Sequence, residues 1–135
     1  MIYMLDTDIC IYIIKRKPLR VLERLESIQP DQLSLSAITF AELMNGAKKS
    51  QRVEANVSRL NALGEILEIC SFDQQAAVAY GDVRSSLEKR GEVIGPHDLL
   101  IAAHALSLDQ TLVTNNEREF KRVEGLKVDN WAVDG

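Results

Sequence analysis

Several things are scarce in this 135-residue chain: it has two cysteines, three prolines and only 5% aromatic residues. Basic side chains are outnumbered too, 16 Lys and Arg against 20 Asp and Glu, for a net charge of −4. Each shortage excludes something. Cys10 and Cys70 sit among aliphatic neighbours, sixty residues apart. They cannot form the dense disulfide framework of a small secreted scaffold. With no CxxC pair or Cys/His cluster, a thiol-rich metal site is excluded as well, and the two read as reduced core thiols. No apolar run approaches the ~20 residues of a membrane span. The opening Met1 to Asp6 lacks the basic stretch of a signal peptide. These absences predict a soluble, cytoplasmic protein without a membrane partner. The lack of repeats and of Gly/Ser or Pro-rich linkers predicts a single domain over 1–135. The deficit of positive charge, at face value, argues against nucleic acid, which needs clustered Lys and Arg.

What is present is an ordinary globular composition, 46% hydrophobic and 27% charged. A chain of this size buries roughly two-thirds of its unfolded surface. Short apolar runs at 2–5, 33–36, 66–70 and 111–113 read as strands, with a last extended piece at 126–128. Between them lie helical patterns: 9–14, 19–28 behind Pro18, 39–49, 53–63 ended by Gly64, 74–89 capped by Asp73, 96–108 opened by Pro96, and a short turn at 117–122. Strands alternating with long helices predict an α/β architecture, with a mostly parallel sheet covered on both faces. Ligands of such sheets bind outside the carboxyl ends of the strands. Polar residues at those ends are therefore the candidates for chemistry.

Carboxylates stand there repeatedly. Asp6 and Asp8 follow the first strand, and Asp8 also suits a helix cap before Ile9. Glu42 has an alternative of its own, because Thr39-x-x-Glu42 matches a capping box. Its neighbours Phe40, Ala41, Leu43 and Met44 are apolar, however, a setting that rewards pairing the charge or placing it on a metal. Asp98 lies in the first turn of an Ala-rich helix, where an acid also suits the helix dipole. Asn116 and Glu119 follow the 111–113 strand. Carboxylates gathered at one sheet edge repel one another, and a divalent cation with oxygen ligands is the natural compensation. Of the histidines, His97 reads as a surface residue or one lying behind the acids, and His104, between Ala103 and Ala105, as a packed helical residue.

Four short motifs occur in order: Leu5-Asp6-Thr7; Ala41-Glu42-Leu43; Pro96-His97-Asp98-Leu99-Leu100-Ile101-Ala102-Ala103-His104-Ala105; and Thr114-Asn115-Asn116-x-x-Glu119-Phe120. Together they resemble a PIN-domain ribonuclease, and more narrowly a VapC-type toxin of a bacterial toxin–antitoxin system. The resemblance implies a three-layer α/β/α sandwich with a mostly parallel sheet of four to five strands. It implies hydrolysis of RNA phosphodiesters with Mg²⁺ or Mn²⁺, tRNA cut in the anticodon loop being the nearest pattern. Carried over residue by residue, Asp6, Glu42 and Asp98 are the metal-binding acids. The fourth position falls on Glu119 or Asn116, with Thr7 and Thr114 lining the site. Asp8 stands where many relatives carry Asn, which leaves the coordination open. The implied partners are an antitoxin that covers the acids, an RNA substrate and a second copy in a homodimer.

Two other readings share parts of this pattern. Asp6-x-Asp8 with a later Thr114-Asn115 resembles a haloacid-dehalogenase-type phosphatase with Asp6 as nucleophile. That family wants a downstream Lys and an acid pair at another strand end, where this chain offers only Asp129. A non-catalytic PIN-like module that binds RNA or protein is the other. The net charge itself divides unevenly: residues 1–52 carry eight basic and six acidic side chains, so the remainder holds an excess of six negative charges. Part of the acidity belongs to the proposed site, and local clusters such as Lys15-Arg16-Lys17 remain for RNA.

Overall fold

A computed structural model describes residues 1–133. Five strands form one parallel sheet: β1 (Tyr3–Leu5), β2 (Leu33–Ser36), β3 (Glu68–Cys70), β4 (Thr111–Val113) and β5 (Val128–Asp129). Seven α-helices accompany them among the described residues: α1 (Thr7–Lys15), α2 (Leu19–Glu26), α3 (Ala37–Lys48), α4 (Val53–Ile66), α5 (Gln74–Arg90), α6 (Pro96–Ser107) and α7 (Glu117–Phe120). The strand order is β3-β2-β1-β4-β5. From β1 the chain winds outward in one direction to β3, then returns to lay β4 on the other side of β1. That reversal places a crevice at the carboxyl ends of β1 and β4, the position at which open α/β sheets bind ligands.

The alternation of strand side chains builds the layers. Leu5, Leu33, Leu35 and Val113 face a core with Ile9, Val21, Leu43 and Leu60 from α1 to α4. Met4 and Leu112 face the opposite core, with Val83, Leu87, Leu99, Ile101 and Phe120 from α5 to α7. The sheet thus lies between two helical layers, the three-layer sandwich implied by the sequence motifs. In β2 the alternation is Leu-Ser-Leu-Ser, so Ser34 and Ser36 are buried on the α5/α6 side. Both hydroxyls are paired there: Ser34 Oγ donates to Gln110 Oε1 at 2.6 Å, and Ser36 Oγ meets His104 Nδ1 at 2.8 Å. His104 is thus the packed helical residue expected. Its ring lies edge-on to Phe72, and burial holds its pKa below the usual histidine range. Cys10 and Cys70 are buried free thiols, as read from their neighbours.

Several boundaries differ from the sequence reading, each for a local reason. Helix α3 begins at Ala37, not Thr39, because Ser36 Oγ accepts the Ile38 N–H at 3.0 Å and caps it. Thr39 therefore lies inside the helix, and the capping box with Glu42 does not form. Helix α4 runs through Gly64 to Ile66, which moves the start of β3 to Glu68. Gly64 is a point of close approach, not a stop: a Cβ there would lie 2.9 Å from Ile69 Cδ1. The final strand is Val128–Asp129, one step beyond the expected 126–128. At α5 the expectation holds, with Asp73 Oδ1 accepting from Ala76 N and Gly91 ending the helix at φ 69°. No helix of the described residues is long and apolar enough to cross a membrane.

Ser36 joins the two helices that carry Glu42 and Asp98, capping α3 while bonding to His104 of α6. Ser36→Ala removes the cap and leaves the buried His104 Nδ1 unpaired. It will lower stability by about 2 kcal/mol, read as a lower urea midpoint; an unchanged midpoint would show that the link bears no weight.

Candidate active site

Asp6 is the first residue beyond β1 and also the N-cap of α1, its Oδ1 accepting from Thr7 N at 2.8 Å. The cap read for Asp8 thus belongs to Asp6. Leu5 and Ile9 on either side are wholly buried, and Asp6 itself is 5% exposed. Its Oδ2 accepts from Thr114 Oγ1 at 2.7 Å, just past the end of β4. Burial pushes the Asp6 pKa up to about 6, and the charges of Asp8 and Glu42 add to the rise. The hydrogen bonds from Thr114 and Thr7 oppose it without cancelling it.

Glu42 reaches the same place from the second turn of α3. Its Oε1 accepts from Thr7 Oγ1 at 2.9 Å, and its Oε2 lies 3.0 Å from His97 Nδ1. His97 is two-thirds exposed, so it stands at the outer rim and steers Glu42 from there. Asp98, in the first turn of α6, is half-buried. Its pKa is raised to about 7, first by desolvation, then by Glu119 and by the charges of Asp6 and Glu42. Glu119 shifts downward, chiefly through the hydrogen bond with Asp98, so a proton shared by the pair rests on Asp98.

Asn116 and Glu119 were alternatives for the fourth position, and the structure brings both to it. The Asn116 amide nitrogen lies 3.1 Å from Glu119 Oε2 and 3.4 Å from Asp98 Oδ2, bridging the two acids. Thr114 Oγ1, while donating to Asp6, accepts from Asn116 N at 2.9 Å. The β4 end thereby fixes Asp6 and Asn116 through one hydroxyl. Asp8 is tied to the same loop, its Oδ2 accepting from Asn115 N at 3.0 Å. Sequence reading missed the outer support of that loop: Asn115 donates to the Tyr12 hydroxyl, and Asn130 donates to Asn115 and Glu117. Asparagines in series after a strand were the available signal.

Asp6, Thr7, Asp8, Ile11, Glu42, Asp98 and Asn116 line one open pocket of about 270 Å³. Its chemistry suits a cation. Raised pKa values at Asp6 and Asp98 record carboxylates taken out of water by burial, with the charges of their acidic neighbours adding to the rise. Asp8 Oδ1 is a buried oxygen without a hydrogen-bond partner. Among the described residues no group of three His, Cys, Asp or Glu side chains is placed so that it could hold an ion by itself. What bears on a cation is the unpaired Asp8 Oδ1 among these acids; a hard cation such as Mg²⁺ keeps several waters and takes only one or two carboxylates.

A PIN-domain family model matches residues 3–126. The chain is 44% identical over 132 residues to the Rickettsia felis protein named Ribonuclease VapC2, covering 97% of this chain and 98% of that one. It is 40% identical over 130 residues to the tRNA(fMet)-specific endonuclease VapC of Shigella flexneri, covering 96% and 98%. The solved structure of VapBC2 from Rickettsia felis bound to a DNA fragment from its promoter superposes with a TM-score of 0.90 at 43% identity. That match covers 97% of this chain and 99% of the other.

Proposed function

Since the chain belongs to the PIN-domain family across residues 3–126, we propose that its Asp6, Glu42 and Asp98 hold Mg²⁺ or Mn²⁺ and, with Glu119, cut RNA. It is an endoribonuclease of the VapC kind, the toxin half of a toxin–antitoxin pair. The observation that carries the site assignment is the convergence, at the switch point of the sheet, of two acids with pKa values raised to about 6 and 7. The family match sets aside the phosphatase reading of Asp6. The intact set of acids speaks against a module that only binds.

Asp6, Asp98 and Glu42 are the residues that would hold the ion, with Asp8 and Asn116 beside them. When bound, a divalent cation supplies Lewis acidity that lowers the pKa of water and neutralises charge developing on phosphate. The chain's own residues supply orientation. Thr114 and the Thr7 N–H lock both Asp6 oxygens, while the Thr7 hydroxyl and His97 lock those of Glu42. Asn116 holds Asp98 and Glu119 at a fixed separation. Glu119, kept ionised and lying beside Asp98, is the base that takes a proton from the attacking water.

The substrate is a tRNA, as the name of the Shigella relative supports, and the anticodon loop is the cleavage position that the family resemblance implies. Inhibition comes from an antitoxin whose arginine enters the acidic pocket, a charge-assisted pairing with the carboxylates. The working form is a homodimer in the cytoplasm, where such RNA is found. Purified full-length chain incubated with total tRNA will generate one new 5′ end with Mg²⁺ or Mn²⁺ and none with EDTA. An Asp98→Asn protein tested alongside will generate none. Cleavage that survives both EDTA and Asp98→Asn would overturn the site assignment.

A further inference from the structure

A second cavity, of about 500 Å³, opens from the acidic pocket and shares Thr7, Ile11 and Glu42 with it. Its walls come from one face of each of three helices. Ile11 and Ile14 of α1, Leu43 of α3 and Leu60 of α4 make the sides apolar. Lys15 and Arg59 stand at its edge, both exposed, and neither makes an ion pair among the described residues. Lys15 opens the Lys15-Arg16-Lys17 cluster, whereas Arg59 is isolated in the sequence. Only the packing of α4 against α3 brings it to this groove. The floor is open at Gly46, where a Cβ would meet nothing within 4 Å.

We propose that this groove seats the nucleotide next to the scissile phosphate, with Lys15 and Arg59 binding its phosphates and the apolar walls enclosing its unstacked base. The proposal rests on the ribonuclease reading above. Three features point to RNA as the occupant. The groove is continuous with the acids, so a strand whose phosphate lies over Asp6 and Glu42 must place its neighbouring nucleotide within reach of it. The acids repel a polyanion, and cations without partners on the way to them supply the complementary charge. A volume of about 500 Å³ lies in the range of small-ligand pockets. Single-stranded RNA is bound by splaying bases out of their stack, and a chain with few aromatic residues must enclose such a base with aliphatic walls instead.

Gly46→Leu tests the groove without touching the acids, because its side chain projects into open space on a helix that tolerates leucine. Lys15→Ala/Arg59→Ala tests the charges. Binding is read by fluorescence anisotropy of a labelled single-stranded RNA decamer in an Asp6→Asn background, so no cleavage is needed. The double substitution should weaken binding at least about tenfold. It should also reduce the slope of log affinity against log salt by about 1.4, the share of two phosphate contacts on a single strand. Gly46→Leu should weaken binding with the salt slope unchanged. In the active protein both variants should raise KM for RNA with kcat within about twofold, and leave Mn²⁺ affinity unaltered. Unchanged RNA affinity in both variants overturns the proposal, and so does unchanged RNA affinity accompanied by lost inhibition by an antitoxin peptide, which would assign the groove to protein. Failure of the ribonuclease reading has a different signature: the decamer is bound through the groove, yet the unsubstituted chain cuts no RNA in total tRNA with metal.

Discussion

Asp6→Asn will reduce RNA cleavage by at least about a thousandfold and at the same time make the metal-free protein more stable. The two effects have one cause. At neutral pH Asp6 is an ionised group only 5% exposed, and its pKa of about 6 measures how poorly the fold solvates that charge without a cation. A rise of about two units corresponds to about 3 kcal/mol of destabilisation at pH 7.5. Asparagine keeps the shape and the oxygen that caps α1, but gives up one acceptor of the Thr114–Asp6 bond. The net gain is therefore about 1–2 kcal/mol, or roughly 3–8 °C in melting temperature for a domain of this size. Added Mn²⁺ should raise the melting temperature of the unsubstituted chain and leave that of Asp6→Asn nearly still. Thermal melts beside a gel assay of RNA cleavage decide it. Lost cleavage together with a lower melting temperature would mean that Asp6 serves the fold as a cap and not as a ligand.

A single residue with both duties explains why this site was only partly legible in sequence. The strand pattern, the helix order and the parallel sheet followed from hydrophobic periodicity, because Leu5, Leu35, Ile101 and Leu112 must be buried whatever the chain does. Asp6 and Asp98 were legible for a related reason: an acid placed directly after or before a buried run has few bland explanations. Glu42 was harder, since Thr39 three residues earlier offered a capping box. Only Ser36, supplying the cap, releases Glu42 to point at Thr7 and His97. No local pattern reports which of two hydroxyl residues three positions apart takes the cap when both are buried.

The fourth position shows a different limit. Asn116 and Glu119 looked like competitors because both lie at helical spacing after β4. In the fold they are partners, since the Asn116 amide spans Glu119 and Asp98 from separate helices. The contact with Asp98 spans 18 residues, and the packing of α6 back along β4 creates it by bringing the start of the helix to the end of the strand. Arg59 is another case, an isolated cation on α4 whose proximity to Glu42 depends entirely on helix packing. Net charge was the least informative quantity. A balance of −4 includes the acids gathered at the ends of β1 and β4, and it conceals where the unpaired cations stand.

Mn²⁺ affinity will fall about a hundredfold between pH 7.5 and pH 5.5, while the metal-free fold becomes more stable over the same interval. Asp6 and Asp98 have folded-state pKa values raised to about 6 and 7, above the ordinary carboxylate value near 4. Between roughly pH 4 and 7 the folded chain therefore holds more protons than the unfolded one, so stability declines as pH rises through that window. The contribution is fully present in acid and lost as pH climbs past about 6 and then 7. A cation must displace those protons, which costs about half a unit at Asp6 and a unit and a half at Asp98 at pH 5.5, hence two powers of ten in affinity. Metal consequently flattens the profile. With saturating Mn²⁺ these acids are ionised in the folded and the unfolded chain alike above about pH 5.5, so stability stays nearly level where the metal-free protein loses it. Cleavage at limiting metal rises steeply over the same range. Melts from pH 5.5 to 8 with and without Mn²⁺, and calorimetric titration at each end, measure both curves. Asp98→Asn should flatten the metal-free curve above pH 6, leaving the part due to Asp6. A metal-free stability that is level across the window in the unsubstituted chain would mean that burial and acidic neighbours do not hold these carboxylates at raised pKa values, and the cation site would lose its physical basis.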